Sequence, residues 1–102
     1  MKNIDFGKGI VTYNDFNIDI TNPLKNQIWE LKQDLLQVNY SDKHDNTYIL
    51  DIGWYPEFNL NGAFKIVLIR NFDWDNPMIM KNSNYEDFYN ILADCIDYAN
   101  RL

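Results

Sequence analysis

Two spacings of apolar residues run through this chain, and each change of spacing marks an element. Phe16-Asn17-Ile18-Asp19-Ile20 alternates apolar with polar, the pattern of a strand with one buried face. Ile10 to Tyr13 is the expected partner across a turn at Asn14-Asp15, giving an N-terminal hairpin. Leu24, Ile28, Leu31 and Leu35 then fall at helical spacing and predict one apolar stripe to about residue 35. Asn22 is placed to cap that helix, with Pro23 at its first position, where the missing N–H costs nothing. Trp29 and Leu36 lie off the centre of the stripe. Leu36, Val38 and Tyr40 next alternate with Gln37 and Asn39, so the helix gives way to a strand.

After the polar connection SDKHDN, the run Thr47–Tyr55 carries Tyr48, Leu50, Ile52 and Trp54 on one face. Pro56 ends it, because proline cannot donate to a ladder. The segment EFNLNG turns the chain, with Gly62 free to take a positive φ. Ala63–Arg70 is apolar on both faces except at Lys65 and reads as the most buried strand. NFDWDNP interrupts, and Met78 to Met80 is a short edge strand. Ser83 and Glu86 have capping-box spacing, and Tyr85, Phe88, Leu92, Cys95, Ala99 and Leu102 form a helical stripe to the C-terminus. With no repeat, low-complexity tract or linker, residues 1–102 are expected to be a single α+β domain. Its architecture is a mostly antiparallel sheet of about five strands with two main helices packed against it.

Composition narrows the function. Of 102 residues, 46% are apolar and 16% aromatic, enough for a core without disulfides or metal and unlike a disordered chain. The lone Cys95 forbids an intramolecular disulfide and a cysteine-based zinc site, and at helical spacing it reads as a small core residue. The start MKNIDFGKG shows neither an apolar export core nor an Arg-rich presequence, and the apolar run Ile66–Ile69 is too short to span a bilayer. A cytoplasmic setting is expected. The formal charge is −6 and the pI about 4.4, which disfavours direct binding to nucleic acid or an anionic membrane and favours a basic partner.

Catalytic and cofactor signatures are missing: there is no phosphate loop, dinucleotide fingerprint or nucleophile elbow. The single His44 sits in a charged turn with Asp42 and Asp45, without the spacing of a calcium loop. Asp51 with Glu57, or Asp73 with Asp75, are nominal glycosidase pairs, but two carboxylates on one loop cannot flank a substrate. Asp51 is expected to pair with Lys65 across strands, since an unpaired buried charge is costly. No enzymatic activity, cofactor or metal is expected. If Thr47–Tyr55 and Ala63–Arg70 form a hairpin, SDKHDN and FDWD share one sheet end, collecting Asp42, Asp45, Asp73 and Asp75 around Trp74. Such an acidic rim around an aromatic anchor suits a cationic protein partner. Trp74 folded over the helices as a lid is the other reading.

The block DIGWYPEFNLNGAFKIVLIRNFDWDNP, residues 51–77, with the upstream PLKNQIWELKQDLLQVNY, resembles the immunity proteins of bacterial contact-dependent growth inhibition systems. The resemblance rests on Ile52-Gly53-Trp54-Tyr55-Pro56, Gly62-Ala63-Phe64 and Asp73-Trp74. It implies a cytoplasmic toxin inhibitor that binds the C-terminal domain of a delivered toxin, often a basic ribonuclease or other nuclease, and blocks its active site. It carries over no contact residues, because these vary with the toxin. The expected partner-binding residues, Asp42, Asp45, Asp73, Trp74 and Asp75, come from the loop argument alone. Two rivals are a peptide-binding or homodimerising module using a sheet edge, and a sugar-binding protein or hydrolase stacking Trp54, Tyr55 and Trp74.

Overall fold

A computed structural model describes residues 3–102. The order is β1 (Ile10–Asn14), two 3-10 turns (Leu24–Asn26 and Ile28–Glu30), β2 (Leu36–Ser41), β3 (Thr47–Tyr55), β4 (Ala63–Arg70), β5 (Ile79–Ser83) and α1 (Phe88–Asn100). The five strands form one antiparallel sheet in the order β1-β2-β3-β4-β5. α1 packs on one face, against β4 and β5. The fold is α+β as expected, with five strands but one main helix instead of two.

Strand alternation decides where the core sits. Tyr48, Leu50, Ile52 and Trp54 of β3 face Phe64, Ile66 and Leu68 of β4 in register, and all are buried. Below them α1 contributes Phe88, Leu92, Cys95, Ile96 and Ala99. The seam is aromatic. Phe64 and Phe88 stack at 4.0 Å, Phe16 stacks on Phe88 at 5.4 Å, and Trp54 meets Phe64 edge-on at 4.9 Å. Such pairs add about 0.5–1.5 kcal/mol each beyond area burial. Cys95 is a core residue, and burial raises the pKa of its thiol. No helix of the described residues is long and apolar enough to cross a membrane.

The N-terminal hairpin is corrected. β1 pairs with β2, not with 16–20, which forms no strand. Asn14 Oδ1 accepts the Phe16 N–H at 3.1 Å and turns the chain off the sheet. Phe16 and Ile18 are nevertheless buried, between exposed Asn17 and Asp19. The alternation reported burial correctly and pairing wrongly.

The expected helix from Leu24 to Leu35 is replaced by the two 3-10 turns, and the reason lies in β3. That strand has nine residues against six in β2, so its last residues would lack ladder partners. Residues 31–35 supply them: the Trp54 N–H donates to Lys32 O at 2.8 Å and the Leu35 N–H to Ile52 O at 3.0 Å. Asn22 does not cap. Its carbonyl instead accepts from Gln27 Nε2 and the Tyr85 hydroxyl. Gln27 also bonds both the N–H and the carbonyl of Asp19, fixing the turns.

Three smaller expectations also change. Ser83 ends β5 and is buried, its hydroxyl donating to Asn84 O, and α1 starts after Asp87, so no capping box forms. Asn84 Oδ1 accepts the Asp87 N–H at 2.8 Å in its place. The positive φ in the β3–β4 connection falls on Phe58 (57°) and not on Gly62. Asp51 lies opposite Gln37 and Val67, while Lys65 lies opposite Gly53. The two charges are two register positions apart and make no ion pair. Asp51 accepts from Gln37 Nε2 at 3.3 Å, and burial, opposed by that bond and reinforced by the charge of Asp34, raises its pKa.

Gly53 is where the crossing segment comes closest to the sheet. A Cβ there would land on the carbonyl oxygen of Gln33, backbone that cannot swing aside. Gly53→Ala is therefore expected to lower stability by about 2–3 kcal/mol, read from the urea midpoint at unchanged slope.

Candidate functional site: the acidic and aromatic end of the sheet

The β2–β3 turn and the β4–β5 loop share one end of the sheet. The Asn71 side chain locks them together, accepting the Thr47 N–H at 2.9 Å and donating to Asn46 Oδ1 at 3.0 Å. Its own N–H reaches Thr47 O at 2.7 Å, and Arg70 Nη2 adds a bond to Asn46 Oδ1 at 3.3 Å. The two loops are thus one rigid surface built on the β3–β4 hairpin.

Asp42 organises that surface from beneath. Its carboxylate accepts the N–H of His44 at 2.9 Å and of Asn46 at 3.0 Å. It also accepts Asn46 Nδ2 at 2.9 Å and the Tyr48 hydroxyl at 2.7 Å. These bonds, the Asn46 and Tyr48 side chains first, hold its pKa well below the usual carboxylate range. In return the bond to Asp42 raises the pKa of Tyr48. With so many donors satisfied, Asp42 is a brace for the turn. Asp45 stands at its exposed tip with φ 62°, a value that Asp tolerates.

The upper layer is the 71–77 loop. Asn71 and Phe72 both take left-handed conformations, with φ of 51° and 63°. Asn adopts these easily, whereas a bulky aromatic there is an outlier. The consequence is display: Phe72 is 64% and Trp74 48% exposed. Asp73, Asp75 and Asn76 are also exposed, and Asn76 Nδ2 donates to both Asp73 oxygens at 3.3 and 3.2 Å. Trp74 is outside the hydrophobic core, so the lid reading does not describe it. Met78 and Met80, 40% and 58% exposed, continue the apolar strip along β5.

Of the five expected partner-binding residues, Asp45, Asp73, Trp74 and Asp75 are exposed at this end, and Asp42 is committed to its own turn. Sequence reasoning missed Phe72, which sits beside Trp74 in the quoted loop and is the more exposed of the two. It also missed the cations Lys43, in the β2–β3 turn, and Arg70, at the end of β4, which partly offset the acids. A second aromatic group lies on the far connections: Trp29, 71% exposed, meets Phe58 edge-on at 5.3 Å. Its one sequence signal was Trp29 falling off the apolar stripe. Trp54, one of the three aromatics proposed for sugar stacking, is buried, its indole N–H donating to Asn59 O at 2.8 Å.

Among the described residues no three His, Cys, Asp or Glu side chains converge to hold a metal ion. Compared with models of known families, with curated proteins and with solved structures, the chain matches none.

The bracing role of Asp42 has a pH signature. Its folded pKa lies below the unfolded value of about 3.9, so its stabilisation is complete above that pH and is lost as pH falls toward the folded value. Asp42→Asn removes the titration. The stability gap between the natural protein and this variant, measured by urea unfolding, should be widest near neutrality and shrink below about pH 4. A gap that stays constant with pH would count against the brace.

Proposed function

We propose that this chain is an immunity protein of the contact-dependent growth inhibition kind, binding a basic toxin nuclease domain and occluding its phosphate-binding groove. The observation that carries this reading is the 71–77 loop, in which Phe72 and Trp74 are held out to water next to Asp73 and Asp75. A non-glycine residue in a disfavoured conformation costs about 1–3 kcal/mol. Spending that to expose an apolar ring gains nothing for the fold, but a partner that buries both rings recovers the cost. Exposed aromatics that become fully desolvated are the usual energetic centre of an interface.

The charge supports the same reading. A net −6 accelerates encounter with a cationic surface and makes the rate fall with salt. Asp45 and Asp75, with Asp73 partly engaged by Asn76, are exposed to face Lys and Arg side chains that would otherwise hold phosphates. On this reading inhibition is competition for a groove, without chemistry by the chain itself. The resemblance of residues 51–77 to such immunity proteins gives the partner its class.

The test is an inhibition and binding assay with the purified basic toxin domain. Replacing Asp73, Trp74 and Asp75 together by Ala should weaken binding by about 3 kcal/mol or more with the unfolding midpoint unchanged. Full nuclease activity in the presence of excess natural protein would overturn the proposal.

Phe72→Gly separates display from folding. The left-handed site suits glycine, so stability should hold or rise by up to about 1 kcal/mol. Binding should nevertheless fall by about tenfold or more, an aromatic hot-spot loss. A variant that binds as well as the natural protein would remove Phe72 from the interface.

A further inference from the structure

The sheet ends in an open edge beside the helix that packs on it. β5 is the last strand and pairs only with β4. Alternate residues of Ile79–Ser83 therefore turn their N–H and C=O groups away from the sheet, and no proline interrupts them. Ile79 and Lys81 lie opposite the core residues Leu68 and Ile66, which places them on the helix side. Between them and α1 runs a cleft of about 370 Å³, lined by Ile79, Ile91, Cys95 and Tyr98 together with the charged Lys81, Arg101 and Asp94.

We propose that this groove receives an extended, acidic segment of a partner polypeptide, added as a sixth antiparallel strand on β5. The row of free backbone groups calls for a guest with matching donors and acceptors at strand spacing, which a polypeptide has and a compact small molecule lacks. Alternation then sets the guest's side chains. The residue opposite Ile79 enters the cleft and is apolar. The residue opposite Met80, which is 58% exposed on the other face, is also apolar.

The residue opposite Lys81 is acidic. The ion pairs among the described residues are Lys32 with Asp15 and Glu30, and Arg101 with Asp97, so Lys81 carries an uncommitted charge on the edge. A lysine on an edge strand discourages indiscriminate pairing; here it favours a carboxylate over a basic side chain at the position opposite it. The guest is thus opposite in charge to the basic partner proposed for the 71–77 loop, and the two sites are independent.

The probe is a blocked peptide of threonine, glutamate, valine, isoleucine and threonine in that order, which places glutamate opposite Lys81 and isoleucine opposite Ile79. It is titrated into the isotope-labelled natural protein and followed by amide shifts and hydrogen exchange. The expected result is saturable shifts and slowed exchange confined to residues 79–83, with shifts in α1 at Ile91 and Tyr98. Binding should weaken by about tenfold with lysine in place of the glutamate, and by a similar factor in Lys81→Glu, as an exposed attraction becomes a repulsion. Lys81 is exposed, so that variant keeps its fold, checked by an unchanged spectrum away from β5. Absence of shifts in β5 at millimolar peptide, equal affinity for both peptides, or shifts centred on 71–77 would overturn the proposal. None of these measurements uses the toxin domain, so this result and the immunity reading stand or fall separately.

Discussion

β3 needs a hydrogen-bonding neighbour on both sides along its whole length, and most of the molecule follows from that. The strand is buried at six of its nine positions, Thr47 and Asp51 being half-buried and Tyr55 exposed. Buried N–H and C=O groups left unpaired would cost on the order of 1–3 kcal/mol each. β4 satisfies one side completely, Tyr48 to Tyr55 matched to Arg70 to Ala63. β2 covers the other side only to Ile52. The segment before it is therefore drawn out along β3, and its helical stripe is given up.

That constraint also shapes the two ends of the sheet. At one end the 31–35 crossing passes over Gly53, and the Phe58 N–H donates to Leu31 O at 2.7 Å, fixing the β3–β4 connection beside Trp29. At the other end the β3–β4 hairpin delivers Arg70 and Asn71 directly beside Asn46 and Thr47. The 71–77 loop has no freedom to fold back onto the core once Asn71 is held at three points. Its aromatics stay outside because the chain is pinned at their root.

Much of this was legible in the residues. β3 and β4 match their expected bounds, since long apolar alternation ended by Pro56 and by polar loops leaves little ambiguity. The C-terminal helix was legible in its stripe, though Ser83 and Glu86 misplaced its start because a buried Ser at the end of β5 satisfies its own hydroxyl locally. The 24–35 segment was not legible. Its stripe has the spacing of an α-helix, and the vacancy on β3 that overrides it exists only in three dimensions. Likewise Phe16 packs on Phe64 of β4 and Phe88 of α1, and Ile18 is buried in the same core, a burial pattern that carries no information on pairing.

The candidate site shows why counting acids does not locate an interface. Asp42, Asp45, Asp73 and Asp75 look equivalent in sequence, yet their surroundings divide them. Asp42 spends its charge on a tyrosine, an asparagine and two backbone N–H groups, which is why its pKa falls. Asp73 is partly occupied by Asn76, and Asp45 and Asp75 are held by no such network of side-chain bonds. Only carboxylates that water still solvates can be exchanged cheaply for a partner's cations, because a charge already hydrogen-bonded must first be released. The usable negative surface is therefore smaller than the formal charge implies, and it lies beside Phe72 and Trp74. The uncommitted cation Lys81 is a few residues further on, along β5. The acidic loop at the sheet's end and the cation on its edge strand are separate surfaces, so each selects a partner of charge opposite to its own.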